Sequence, residues 1–377
     1  MLEASAPYCC AWVEAFLLRV ARGALAVSGP IDVLPTGKGR GHFVPLVLLF
    51  VGRVTNGIVH SLKFSRFECW GDGIVLKAYR TIDLFCGCGG LTAGFASAGY
   101  DNLRGFDNWK IAVDTYSKNN KDDAELLDLS DLDGSLERLR EYKGEIDGVI
   151  GGPPCQDFSS AGKRSEGSRA GLTRNYAAIV CDLAPSFFVM ENVAMAKNAK
   201  AYVEAVEMLS AAGYGVTKRV IDASRVGVPQ SRKRLITVGF LGRNENDEFG
   251  AILDEGLSSR RTTLRDYFGD SLGTDHIYRH PRSYARRAVF SIDEPCPTVR
   301  GVNRPIAPGY PGHPGDTAPI SEARPLTTEE RARVQTFEGW TWQGPKTDLE
   351  QMIGNAVPVL LARYVGFCVR RYLEDES

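Results

Sequence analysis

The chain has 377 residues, 44% hydrophobic and 24% charged. That composition excludes a wholly disordered or fibrous protein, and the length allows two or three domains with no need for disulfide or metal staples. Lys and Arg number 45 against 46 Asp and Glu, a formal net charge of -1, so any nucleic-acid binding must come from a local patch.

The nine cysteines form neither paired CxxC zinc clusters nor the framework of a small secreted protein. They point to a reducing, cytoplasmic setting, and no metal is expected. In residues 1–77, Val13, Phe16, Leu17, Val20 and Ala24 predict an amphipathic helix over Ala11–Val27, although Gly23 interrupts it. Gly and Pro then break the pattern from Gly29 to Gly41. The apolar stretch Pro45–Val51 falls far short of the ~18 residues a bilayer span needs. Met1–Pro7 carries Glu3 and no Lys or Arg, unlike the start of a signal peptide. No membrane is expected. The next methionine after Met1 is Met190, which leaves two readings of 1–77: an accessory or disordered extension, or a segment ahead of a native start near Val75 or Leu76.

From Tyr79 strand and helix signals alternate. Arg80–Phe85 predicts a strand entering a glycine-rich turn, Leu91–Ala98 the following helix, Asn102–Asp107 a second strand and Trp109–Asn119 a second helix. Short strands follow at Ile146–Ile150, before Gly151-Gly152-Pro153-Pro154, and at Ser186–Met190, before Glu191-Asn192-Val193; Arg234–Phe240 closes the series. Such alternation predicts an α/β, doubly wound, mostly parallel sheet, with ligands beyond the carboxyl ends of its strands. Leu241–Arg324 loses the pattern and reads as a smaller, loop-rich module. Glu329–Phe337 predicts a helix capped by Thr327 or Thr328, Gly354–Pro358 a turn, and Val359–Leu373 a final amphipathic helix.

Three motifs stand at predicted strand ends. In Asp83-Leu84-Phe85-Cys86-Gly87-Cys88-Gly89-Gly90, glycines at a strand-to-helix turn let backbone approach a ligand, and Asp107 at the next strand end suits ribose hydroxyls. A nicotinamide-dependent dehydrogenase, or simply a tight turn, fits this motif as well. In Gly152-Pro153-Pro154-Cys155-Gln156-Asp157-Phe158-Ser159, two prolines make a rigid mount for a nucleophile; the alternative is a buried apolar cysteine. Glu191 could act as an acid if shielded from water, or be a solvated carboxylate.

Taken together and in order, these segments resemble the DNA (cytosine-5)-methyltransferases of bacterial restriction-modification systems. The first block is Asp83–Gly90, the Pro-Cys loop Gly152–Ser159, and the Glu-Asn-Val block Glu191–Val193. Gln230-Ser231-Arg232-Lys233-Arg234 is similar to the family's Gln-x-Arg-x-Arg block. Arg324-Pro325-Leu326-Thr327 through Arg331, Gln335 and Phe337, then Gly354-Asn355-Ala356-Val357-Pro358, match the last two. The six blocks span roughly 300 residues, well beyond the chance level of any one motif; residues 1–77 lie outside.

The resemblance implies a Rossmann-like, S-adenosylmethionine-dependent methyltransferase fold with a smaller target-recognition domain. Its expected division is 1–77 extension, 78–240 catalytic and cofactor-binding, 241–324 target recognition, and 325–377 a return segment completing the catalytic domain. It assigns attack on cytosine carbon 6 to Cys155, contact with ring nitrogen 3 to Glu191, and to Arg232 and Arg234 contacts with the base carbonyl and a neighbouring phosphate and the ordering of Cys155 and Glu191. It implies that Phe85, Gly87, Gly89 and Gly90 line the cofactor's methionine and ribose, that Asp107 holds the ribose, and that Asp128-Leu129 faces the adenine. Asn355 and Val357 close the pocket. Trp109, two residues beyond Asp107, departs from the adjacent aromatic the family would place there, which puts adenine stacking in question. The target base must leave the duplex, with Gln156 and Ser159 near the opened strand.

Tyr278–Arg304 holds six arginines, Arg279, Arg282, Arg286, Arg287, Arg300 and Arg304, against Asp293 and Glu294. This is the local basic patch that the net charge conceals, and it suits guanine edges and phosphates; the plainer reading is a solvated loop. The expected partners are double-stranded DNA and a functionally linked endonuclease, with the enzyme a monomer. An RNA cytosine methyltransferase and a non-catalytic DNA-binding regulator are the remaining alternatives.

Overall fold

The computed structural model describes residues 49–55, 58–65, 78–154, 171–243 and 248–375. The chain forms two units, Met1–Lys77 and Ala78–Ser377. In the first, β1 (Leu49–Thr55) and β2 (Ile58–Ser65) pair antiparallel, with a register break between Gly52 and Val54. The helix expected over Ala11–Val27 lies outside the described residues.

The second unit opens with β3 (Arg80–Leu84), α1 (Gly90–Ser97), β4 (Asp101–Asp107), α2 (Lys110–Asn119), β5 (Ala124–Leu126), α3 (Leu132–Leu139) and β6 (Gly148–Gly151). It continues through α4 (Gly171–Leu183), β7 (Phe187–Val193), α5 (Lys200–Ala211), β8 (Tyr214–Asp222), β9 (Gln230–Ser231) and β10 (Lys233–Leu241). These strands, β9 excepted, form one seven-stranded sheet of order β5-β4-β3-β6-β7-β10-β8. β3 through β7 run parallel, whereas β10 is antiparallel to both β7 and β8.

The central strands read as continuous apolar runs because helices cover both faces of the sheet. Along β7 the side chains alternate: Phe188 and Met190 enter a layer with Tyr142, Tyr176, Val180, Tyr202 and Leu209. Phe187 and Val189 enter the other, with Phe95, Phe249, Leu361, Val365 and Val369. Two glycines make room for the rings. A Cβ on Gly148 would stand 2.2 Å from the Phe187 ring, and one on Gly239 2.2 Å from that of Phe188.

After α6 (Glu248–Glu255) and α7 (Leu264–Phe268) come β11 (His276–Tyr278), β12 (Val289–Ser291), β13 (Cys296–Pro297) and β14 (Arg324–Pro325). A small sheet has order β12-β11-β14, and β13 pairs in parallel with β9 next to the large sheet. The chain then returns through α8 (Thr328–Val334), α9 (Lys346–Asn355) and α10 (Val359–Asp375). α10 packs on α1 so closely that a Cβ on Gly94 would lie 2.3 Å from that of Ala362, and Tyr100 Oη donates to the Gly366 carbonyl at 3.1 Å. The stretch Lys346–Asp375 is apolar and long enough to cross a membrane, yet it breaks between α9 and α10, and both helices bury residues such as Met352, Ile353, Leu361 and Val365.

Several expectations shift. β7 extends through Val193, so Glu191 sits within a strand, paired with Ile236, instead of just beyond one. β5 and β8 are strands that the sequence analysis passed over, β5 because it has only three residues amid acidic ones. α9 runs through Gly354 and Asn355, so the turn expected from Gly354 begins only at Ala356. Thr327, not Thr328, caps α8. Its hydroxyl accepts from Glu330 N at 3.1 Å, while Glu330 Oε2 accepts from Thr327 N at 2.7 Å.

The return segment carries a buried ion pair between Arg331 and Glu350. Burial pulls the Arg331 guanidinium down to about 10, and Glu350 also accepts from Thr328 Oγ1 at 2.7 Å. Removing one partner strands the other's charge. Glu350→Ala should therefore cost ~3–5 kcal/mol in urea unfolding, whereas Thr327→Ala, a lost cap, should cost about 1 kcal/mol.

Candidate active site

Three strand ends, those of β3, β4 and β5, build the cofactor side. After β3 the chain turns through Phe85 at φ 59°, Gly87 at φ 53° and Gly89 at φ 93°. A phenylalanine in this left-handed region is strained backbone of the kind retained at binding sites. Asp107, at the end of β4, holds the turn: its Oδ2 accepts from Gly87 N and its Oδ1 from Trp109 N, both at 2.9 Å. Burial keeps its carboxyl above the usual range, against the pull of those N–H donors. A Cβ on Gly87 would meet nothing within 4 Å, so that backbone borders open space. A Cβ on Gly90 would instead stand 2.3 Å from the Val357 carbonyl and 2.8 Å from Phe337 Cζ. Glycine there lets the α9–α10 turn close on the first block; Val357 is buried in that closure and Asn355 is exposed.

Asp128, beyond β5, accepts from Ser130 N at 3.0 Å and Ser130 Oγ at 2.8 Å, which hold its carboxyl below the usual range. Leu129 corrects an expectation: its side chain is buried in the core layer with Phe106 and Leu139, so it offers no apolar face to an adenine. Trp109 leaves the sheet edge for the cluster of Leu264, Phe337 and Ile353. A left-handed glycine loop beside carboxylates at successive strand ends fits an adenosyl group bearing an amino acid.

Beneath the loop lies a buried polar chain to which sequence reasoning assigned no role. Thr92 Oγ1 donates to Asp83 Oδ2 at 2.7 Å, Tyr116 Oη to Asp122 Oδ2 at 2.5 Å, and Asn102 Nδ2 to the same oxygen at 2.7 Å. Burial pushes the Asp83 carboxyl up, and Asp122 and Asp107 add to the effect. An acid immediately before a glycine turn was the available signal.

The catalytic side lies at β6, β7 and β10. Gly152 to Pro154 follow β6, and a Cβ on Gly152 would stand 3.3 Å from Glu191 Oε2. Asn192 Nδ2 donates to the Pro153 carbonyl at 2.9 Å, fixing the chain two residues before Cys155. Cys155, Gln156 and Ser159 themselves lie outside the described residues. Glu191 is 8% exposed, and its Oε1 is 2.7 Å from Arg234 Nε across the β7–β10 pairing. Asn192 stands in the Glu-Asn-Val block with no role expected of it from sequence.

Arg232 is placed differently from the expectation. It is 1% exposed and donates to the carbonyls of Val299 at 3.2 Å, Gly354 at 2.9 Å and Ala356 at 3.0 Å. It lies in the break between β9 and β10, close enough to Arg234 and Glu191 to feel both charges, but its donors go to backbone carbonyls. It therefore ties chain segments together instead of facing a base or phosphate. Gln230 extends the tie: its Oε1 accepts from Val299 N at 2.8 Å, and its Nε2 donates to Gln335 Oε1 at 2.7 Å.

The six arginines of the basic segment separate. Arg287 is gripped by both Glu294 oxygens and lies over the Phe290 ring at 4.2 Å, so its charge is already matched within the protein. Arg279 Nη2 donates to the Thr298 carbonyl at 3.1 Å. Arg300 is half-buried, and Arg282, Arg286 and Arg304 are exposed.

A parallel sheet with glycine- and carboxylate-bearing turns at its carboxyl ends and an antiparallel β10 is the arrangement of a Rossmann-like methyltransferase. Solved structures agree at the level of fold. A putative DNA modification methyltransferase from an Escherichia coli prophage superposes with TM-score 0.58 at 22% identity, covering 79% of this chain and 100% of that one. Schizosaccharomyces pombe Dnmt2 gives TM-score 0.58 at 17% identity over 80% and 100%. The sequence pattern of the C-5 cytosine-specific DNA methylases matches residues 79–367. Type II methyltransferase M.HgiDI of Herpetosiphon aurantiacus is 47% identical over 298 residues, 78% of this chain and 96% of its own. Type II methyltransferase M.HindV of Haemophilus influenzae is 45% identical over 300 residues, 78% and 98%. The chain belongs to the C-5 cytosine-specific DNA methylase family, and the dehydrogenase reading falls away.

Asn192→Ala should lower kcat by ~10–100-fold by loosening the mount of the Pro153 loop, with S-adenosylmethionine affinity within about twofold of wild type by titration calorimetry. Gly90→Ala should do the reverse, weakening that affinity by about tenfold or more, because its Cβ meets backbone that cannot yield.

Proposed function

We propose that the chain methylates carbon 5 of cytosine within one short double-stranded DNA sequence, as the modification enzyme of a restriction-modification system. The observation that carries the residue assignment is the Glu191–Arg234 pair at 2.7 Å, held against the backbone that leads into Cys155. The Cys155 thiolate adds to carbon 6 of the flipped base, forming a C–S bond and moving electron density toward carbon 5. Glu191 contacts ring nitrogen 3 and delivers a proton or hydrogen bond as charge grows there. Arg234 orients Glu191 and reaches the base carbonyl or its phosphate; Arg232 acts through position only.

S-adenosylmethionine, the methyl donor of this family, supplies an electrophilic methyl group. Phe85, Gly87, Gly89, Gly90, Asp107, Asp128, the Leu129 backbone, Asn355 and Val357 would hold it. After transfer, a base, most simply water, takes the carbon 5 proton, and the C–S bond breaks to release Cys155. Gln156 and Ser159 meet the opened duplex alongside the exposed arginines. We further propose a cytoplasmic monomer without membrane contact, paired in the cell with an endonuclease of the same specificity. The Type II names of M.HgiDI and M.HindV support the pairing.

The test is bisulfite sequencing of DNA from a host lacking cytosine methylation and expressing the chain. Methylation is expected at one short motif, absent with Cys155→Ala and reduced by ~10²-fold or more with Glu191→Gln. A folded, cofactor-binding protein that leaves DNA unmodified, or that modifies RNA instead, overturns the reading.

A further inference from the structure

Resting on that reading, we infer that Arg300 is a base-reading residue of this enzyme, taking a guanine edge, while the exposed Arg282 and Arg304 beside it serve phosphates. A cavity of about 420 Å³ opens between β11, β13 and the loop after β13. Arg279, His280, Arg282, Arg300, Arg304 and Arg331 all line it, and none of its lining residues is acidic. Of these arginines, Arg331 is matched by Glu350 and Arg279 is held by the Thr298 carbonyl. Arg282 and Arg304 are exposed on flexible stems, the arrangement that suits a phosphate, which positions the protein and carries no sequence information.

Arg300 differs in how its backbone is held. The residue before it, Val299, has its N–H taken by Gln230 and its carbonyl by Arg232. The Arg300 carbonyl is taken by Arg331, and a Cβ on Gly354 would stand 2.2 Å from the Arg300 carbonyl carbon. Among the described residues its guanidinium makes one long contact, Nη1 to the His280 carbonyl at 3.4 Å, and the side chain lines the cavity with most of its fork uncommitted. Reading a base requires a donor pair placed to a fraction of an ångström on a rigid mount, and a planar fork matches guanine O6 and N7. Burial and the charges of Arg282, Arg286 and Arg304 weigh against the charge on Arg300, which an electron-rich guanine edge relieves. The mount is shared with Arg234 and Glu191 through β9 and β10, so a correct guanine contact is registered on the block that holds the catalytic pair.

The experiment compares full-length wild type, Arg300→Gln, Arg300→Lys and Arg304→Gln on duplexes carrying the methylated motif and each of its single-guanine replacements. It measures kcat/KM together with the salt dependence of binding. Arg300→Gln should lose ~10–100-fold on the motif and abolish discrimination at one guanine, with other positions and the salt slope unchanged. Arg300→Lys, which keeps the charge and loses the fork, should relax the same position. Arg304→Gln should weaken all sequences alike and reduce the salt slope by about 1. Matched S-adenosylmethionine affinity and melting temperature establish that the variants are folded. The inference is overturned if Arg300→Gln weakens all duplexes uniformly with a shallower salt slope, or if discrimination at every guanine survives. Wild type that methylates no DNA overturns the enzyme reading itself, a result distinct from either.

Discussion

The fully buried guanidinium of Arg232 is the constraint on which the rest of this architecture depends. A cation removed from water and answered only by carbonyls is expensive; burial and the neighbouring Arg234 both drive its pKa well down, with Glu191 opposing. Well-packed apolar side chains could fill the same volume at lower cost. What they could not do is specify direction. The three carbonyls come from the loop before Arg300 and from both sides of the Gly354–Ala356 turn, so one side chain fixes the small module and the return segment against β10. With the Gln230–Gln335 amide pair, it makes a polar knot that joins three chain segments.

The cofactor side is organised by a different economy. There the backbone is bent into the left-handed region at Phe85, Gly87 and Gly89, and Asp107 keeps it bent by accepting from both flanks of the turn. The carboxylate proposed to hold the ribose therefore also supports the loop. Strain stored in the turn and burial imposed on Asp107 are local costs, offset by the packing of α10 on α1 and by the close approach of Val357 to Gly90.

Much of this was legible in the sequence, because glycine turns, Pro-Pro runs and apolar strands are local signals. β3, α1, β4 and α2 fall within a residue or so of where periodicity puts them. Arg234 and Glu191 come together as two ordered motifs suggest they should. What escaped was set by partners far along the chain. Arg232 and Arg234 have the same residue type two positions apart, and only the distant carbonyls of Val299, Gly354 and Ala356 take one into the interior while Glu191 holds the other. Arg287 and Arg300 look alike until Glu294 and Phe290 claim the first. Leu129 reads as a contact residue beside Asp128, but its side chain packs with Phe106 and Leu139, partners that the local pattern does not reveal.

The fold also sets a timetable. Tyr100 is bonded to Gly366, 266 residues later, and Phe95, Ile150 and Phe187 share a layer with Leu361, Val365 and Val369. A ribosome making this chain at ~5–20 residues per second exposes one face of the sheet for many seconds before α10 emerges to cover it. During that interval the Gly90 wall of the cofactor site has no Val357 against it. The wall at Gly90 is thus completed only after Val357 has been made, long after the glycine loop it closes on.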